Sequence, residues 1–317
     1  MNWLMANRLG HIAAAKAHSR LGVNVAAYPV NVSKAVNDAD LTLIQRPLPR
    51  LFGVYIEVNG NRGVLVNSNM QQATRRHTTA HELGHFEFGH RPDPARQCDI
   101  EEATTRGAAS GTLREAAGSP GLVKAQGQGE MCAEAFAAWF LMPRRAVMAA
   151  LTDLGIDRVG SAAEVYQLSL LLGTTYRATC RHLANVRFAT KADTDGWARR
   201  SPGRLKRSLV AEAGVTIDST LDMDVWDLRT SSGTRVEASI GDLLVLPVDL
   251  LSATEQATGL TVTTADDAAV TVECTTATGP ARLGNDAQPI VLVVHERPFG
   301  LYLPTEDPSL KELELTP

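Results

Sequence analysis

The sequence predicts an α+β protein: a largely helical N-terminal portion that includes a small sheet, followed by an all-β, sandwich-like C-terminal portion. Two observations separate these portions, and a third marks a site. Up to about residue 214 most apolar residues recur every three or four positions, the period of a helix with one buried face. From Val225 onward, short apolar and β-branched runs are divided by Gly, Asp and Pro turns, the pattern of strands. Within the helical portion, Thr78-Thr79-Ala80-His81-Glu82-Leu83-Gly84-His85 sets two histidines four residues apart with an acid beside the first.

Taken in order, Arg8 to Leu21 reads as an amphipathic helix with apolar positions at Leu9, Ile12, Ala13, Ala15 and Ala17, and Gly22 as its stop. Asn31 is a suitable N-cap for a short helix through Asn37, and Leu41-Thr42-Leu43-Ile44 reads as a strand that ends before Pro47 and Pro49. Gly53 to Val58 and Gly63 to Asn67 form a hairpin across Asn59-Gly60-Asn61, residues that tolerate positive φ. Its edge lies near the helix that follows. Such an edge can hold an extended substrate backbone by strand addition, or serve only as scaffold.

Residues 91–129 are rich in Pro, Gly, Ala and Ser and read as an insertion, either a lid or inert. Glu130 to Leu141 reads as a helix ended by Pro143, with Ala133, Phe136, Ala137, Phe140 and Leu141 as its buried stripe. Ala146 to Leu154 is a further helix closed by Gly155. Ala162 to Leu172, Gly173-Thr174 and Thr175 to Val186 then have helix-turn-helix spacing, the second helix carrying Arg177, Arg181, His182 and Arg187. Residues 191–214 read as a linker and short helix. Strands are expected at Val225–Leu228, Thr234–Ser239, Asp242–Val248, Gly259–Thr264, Ala268–Thr275, Pro289–Glu296 and Gly300–Leu303. The expected divisions are a core over 1–145, a helix-turn-helix-like unit over 146–190, the linker over 191–214 and a recognition or regulatory β domain over 215–317.

The chemistry concentrates at the two histidines. On a helix, residues four apart lie above one another, so His81 and His85 can both offer a ring nitrogen to one ion at about 2.0–2.1 Å. Glu82 faces the remaining coordination position, where a carboxylate can take a proton from water as general base. A catalytic zinc needs a third protein ligand. Phe88 and Arg91 stand where a further Gly and His would make one local pattern, so the third ligand is sought elsewhere. Glu130 and Glu134 lie on the buried edge of the later helix, where an acid needs a partner. Glu130 is the expected ligand and Glu134 the alternative.

Arg75 to His85, followed by Glu130-x-x-Ala133-x-x-Phe136-Ala137 and Leu141-Met142-Pro143, resembles the ImmA/IrrE family of zinc metallopeptidases. Pro29 to Val32 and the strands at Gly53 and Gly63 stand where that family has a helical segment and a small sheet, and the resemblance spans roughly residues 8–188. It implies a zincin-like metallopeptidase core, one Zn2+ held by His81, His85 and Glu130, and Glu82 as catalytic base. It further implies a protein substrate, a helix-turn-helix transcriptional repressor, cut to switch on stress-response or mobile-element genes. His77 replaces an aromatic usual in the family, Glu134 an asparagine common there, and the connection between the motifs is longer. The C-terminal strands resemble a chagasin-like inhibitor only in Gly241-Asp242 and Glu296-Arg297-Pro298-Phe299, and Gly259-Leu260-Thr261-Val262 replaces the aromatic loop, so inhibition is not carried over.

A formal net charge of −4 gives no global attraction to nucleic acid, and direct DNA binding is not expected. The competing class is a DNA-binding regulator with a structural zinc site, supported by the arginines of 175–187. The N-terminus lacks a basic region followed by an apolar core, and no run of about 20 apolar residues is present. A cytoplasmic protein with no membrane partner is expected. Cys98, Cys132, Cys180 and Cys274 are scattered, as reduced thiols would be, and Cys98 is the candidate for an inhibitory fourth zinc ligand.

Overall fold

Small residues decide how the first helix packs. In the computed structural model α1 (Trp3–Arg20), capped by Asn2 on the Met5 amide, buries Ala6, Gly10, Ala14, Ala17 and His18. A Cβ at Gly10 would lie 2.7 Å from the Cβ of Ala135 on the partner helix, so only glycine permits this approach. The face expected from Leu9 and Ile12 instead points outward, those residues being 38% and 53% exposed. Close helix contact outweighs burial of the larger side chains, because bulky residues on the inner face would hold the two helices apart.

The structure describes the chain apart from residues 49–50, 91–119, 221–222, 232–233, 268, 285–288 and 297–317, and for 120–126 it describes the backbone alone. The expectations for Cys98, for the insertion up to residue 119 and for a strand at Gly300–Leu303 lie outside the described residues. The fold is α+β, as expected, and divides into two compact units within Met1–Pro143 and Arg144–Pro298.

In the first unit α2 (Val32–Asp38) is capped by the Asn31 side chain. A sheet of β1 (Thr42–Arg46), β2 (Gly53–Val58) and β3 (Asn61–Asn67) follows in the order β1-β3-β2, with β1 parallel and β2 antiparallel to β3. Asn59 and Gly60, at φ 52° and 81°, make the two-residue turn that the strand twist favours. Asn67 ties down the chain before β2, its amide donating to the carbonyls of Leu48 and Leu51 at 2.6 and 2.7 Å.

Next comes α3 (Gln72–Glu87), then α4 (Pro120–Leu141). The latter begins ten residues before Glu130, within the expected insertion. Gly127 and Gly129 lie inside this helix despite their poor helix propensity. Glu130 is therefore a mid-helix residue. Gly84 of α3 sits against α4, where an added Cβ would be 3.1 Å from the Cα of Ala133.

The second unit holds α5 (Arg144–Asp153), α6 (Ala162–Leu172), α7 (Tyr176–Asn185), α8 (Lys191–Trp197) and α9 (Pro202–Ala211). Ser161 and Glu164 form a capping box at the start of α6, and Gly173 closes it at φ 60°. The stretch expected as a linker is thus mostly two helices, each with its own cap, Thr190 for α8 and Ser201 with Pro202 for α9. His182, grouped above with the basic face, is buried, whereas Arg177, Arg181 and Arg187 are exposed.

Seven strands in two sheets follow among the described residues. One sheet runs β4 (Val225–Asp227), β6 (Leu243–Pro247), β8 (Ala269–Cys274), β7 (Leu260–Ala265), and the other β5 (Arg235–Ser239), β10 (Ile290–His295), β9 (Thr278–Leu283). A short α10 (Leu251–Gln256) lies between β6 and β7. β9 was not expected, because Gly279-Pro280 reads as a turn. It is an edge strand, where proline is tolerated. Helix α6 caps the outer edge of β4: Gln167 donates to the Val225 carbonyl at 2.9 Å and accepts from the Asp227 amide at 3.0 Å. Tyr166 adds its hydroxyl as acceptor for the Val225 amide at 3.1 Å. An edge able to template pairing is covered by side chains imitating a strand. The strands fall in the same compact unit as α5 to α9, within Arg144–Pro298.

Candidate metal centre

The close approach of α3 and α4 at Gly84 and Ala133 brings Glu130, one helical turn before Glu134, against the histidine face of α3. His81 Nε2 lies 3.1 Å from Glu130 Oε2, His85 Nε2 lies 3.4 Å from Glu130 Oε1, and the two Nε2 atoms are 3.0 Å apart. All three donor atoms fall within 4.8 Å of one another, the spacing of groups able to share one metal ion. Both histidines are buried and Glu130 is half-buried.

The outer atoms of the rings are held as well. Glu134 Oε2 lies 2.9 Å from His77 Nε2 and 3.6 Å from His81 Nδ1, so Glu134 sits on the outer side of His81 while Glu130 faces its Nε2. His85 Nδ1 pairs at 2.8 Å with His90 Nδ1. With outer partners on both Nδ1 atoms, both Nε2 atoms face inward, the side from which metal-binding imidazoles coordinate. Two imidazoles and one carboxylate form a nitrogen and oxygen donor set suited to zinc, and they leave room for a further ligand.

The two sides of the site shift each other's titration. Burial opposes a charge on His81, yet hydrogen bonds to Glu130 and Glu134 raise its pKa well above the ordinary histidine value. Burial likewise opposes ionisation of Glu130, but hydrogen bonds from His81 and His85 hold its carboxyl well below the usual carboxylate range.

Glu82 is buried beside the triad but outside it. Burial pushes its carboxyl up, an effect opposed by His81 and His85. Its Oε2 accepts the Tyr55 amide of β2 at 2.8 Å, and Gly53 packs against its side chain. The Asn67 amide bonds the Phe52 carbonyl, so in this antiparallel pair the main-chain groups of residues 54, 56 and 58 face β3. Those of Gly53, Tyr55 and Glu57 face away, at an edge of the sheet, and the Tyr55 amide is the one Glu82 takes.

All four residues expected at the site, His81, Glu82, His85 and Glu130, are thus brought together. The place of His90 on the outer nitrogen of His85, and the Tyr55 amide, were not foreseen. Gly89 just after the helix signalled a chain reversal that could return His90, but no residue type announces a main-chain donor.

A buried histidine pair on a helix, an acid from a second helix and an edge strand beside them define a metallopeptidase-type core. Residues 20–117 match the model of a peptidase family, the IrrE N-terminal-like domain, which supports an ImmA/IrrE assignment for this stretch. The matched span contains His81, Glu82 and His85 and stops before Glu130, so the third donor rests on the geometry. The chain matches none of the curated proteins. Among the described residues no helix is long and apolar enough to cross a membrane.

Proposed function

We propose that the protein is a zinc-dependent endopeptidase that cuts a protein substrate, a helix-turn-helix transcriptional repressor by its resemblance to the ImmA/IrrE family. The observation that carries this reading is the convergence of His81 Nε2, His85 Nε2 and a Glu130 oxygen beside a buried Glu82 that stands outside the triad. His81, His85 and Glu130 would hold the zinc. When bound, zinc acts as a Lewis acid toward a peptide carbonyl and lowers the pKa of water. Glu82 takes the proton of the attacking water as oxygen adds to the carbonyl carbon, and returns it to the amine nitrogen as the C–N bond breaks. The hydrogen bond from the Tyr55 amide orients its carboxylate, and the same edge of β2 offers main-chain groups to an extended substrate.

A DNA-binding regulator with a structural zinc is the competing class. It is favoured by exposed Arg177 and Arg181 on α7, but structural sites close their shell with four protein ligands, and the described triad supplies three. Incubating zinc-loaded protein with candidate repressors, beside a titration of duplex DNA, separates the two. Cleavage is expected, with DNA affinity staying in the non-specific range, Kd about 10⁻⁴–10⁻⁶ M at physiological salt. A nanomolar, sequence-selective shift of promoter DNA with no proteolysis would overturn the proposal.

A further inference from the structure

We infer that His90 is a positioning residue of the metal centre: its ring fixes His85 in the tautomer and orientation that turn Nε2 toward His81 and Glu130. The inference rests on the reading of the triad as a metal site. For His85 Nε2 to offer a lone pair, the ring proton must sit on Nδ1, and a proton there needs an acceptor. His90 Nδ1 stands 2.8 Å away.

Three features place the ring of His90. Helix α3 ends with Gly89 in the left-handed region at φ 64°, where the Gly89 amide bonds the Phe86 carbonyl and the His90 amide bonds the His85 carbonyl at 3.0 Å. The reversal ties His90 by its main chain to the residue that its side chain contacts. On one side the ring of Phe88 stacks with that of His90, 5.6 Å between centroids and 19° between planes. On the other side lies Gly129 of α4, whose missing side chain leaves the space: a Cβ there would stand 3.1 Å from His90 Cε1. Gly129 is a poor choice inside a helix unless the room it makes is used. The ring of His90 uses it. Because it approaches the Nδ1 side of His85, His90 is not a third ligand, and the donor triad does not include it.

The test compares wild type with His90→Asn and His90→Leu, each stripped of metal. Zinc affinity is read by competition with a chromophoric chelator, and the melting temperature of the metal-free protein is recorded beside it. Asparagine carries its Oδ1 at the place of Nδ1 and can accept the same proton, so His90→Asn should bind zinc nearly as wild type does. Leucine cannot, and His90→Leu should bind about 10–100-fold more weakly, as expected for loss of an outer partner. The metal-free melting temperature should stay put in both. Wild-type affinity in His90→Leu would overturn the inference, and so would an equal loss in both variants or a loss matched by lower metal-free stability. Failure of the metal reading itself looks different: wild type would take up no zinc at all.

Discussion

Two helix pairs carry the residues that drew attention in the sequence, and they use them in opposite ways. In α3 and α4 the titratable groups turn inward. His81, Glu82 and His85 are buried, Glu130 joins them across the helix contact, and each ring has a partner on its outer nitrogen. In α6 and α7 the charged groups turn outward. Arg177 and Arg181 are exposed, while the inner faces hold Leu168, Leu171, Leu172, Cys180 and Leu183. Among the polar groups that α6 buries, those of Tyr166 and Gln167 complete the edge of β4. Burying an imidazole or carboxylate costs free energy that solvent would otherwise supply, so a cluster of them in one place calls for a compensating ion or reaction. Exposed arginines carry no such demand.

The contrast breaks most visibly at Glu82. Glu82→Gln removes the proton acceptor and keeps the three donors, so turnover should fall by about 10²–10⁴-fold while metal analysis still finds close to one zinc per chain. Loss of zinc in that variant would move Glu82 into the ligand set.

The next effect distinguishes the two acids of α4. Glu130→Ala deletes a donor and should lose zinc on dialysis, with activity only partly restored by excess metal. Glu134→Ala removes an outer partner of His81, and a loss of about 10–100-fold in affinity is expected. Metal titration of both variants decides the order, and full zinc retention by Glu130→Ala alone would make Glu134 the ligand.

In the other helix pair the expected change is in stability. Gln167→Leu leaves the Val225 carbonyl and the Asp227 amide of β4 without their side-chain partner, at about 1–3 kcal/mol for each group that becomes buried and unsatisfied. Urea unfolding should show that loss with zinc affinity unchanged. Arg177→Ala, the exposed neighbour, should stay within about 0.5 kcal/mol of wild type. A larger shift there would show that the arginine face is packed or bound.

Some of this molecule was legible one residue at a time. The spacing of His81, Glu82 and His85, the Asn59-Gly60 turn, the cap at Asn31, and the stops at Gly155 and Gly173 depend on local backbone geometry, which neighbouring residues specify on their own. What faces what depended on packing between distant segments. The buried face of α1 follows from the fit of Gly10 against Ala135, not from where its largest apolar residues lie. Helix α4 runs through Gly127 and Gly129, residues of poor helix propensity, in a register that packs Ala133 against Gly84 of α3. That register, in turn, put Glu130 on the inner side of His81 and Glu134 on the outer side, a distinction one helical turn apart in sequence. It also placed His90 and the Tyr55 amide in the site, since a main-chain donor and a ring returned by a helix end acquire their roles only when separate segments meet.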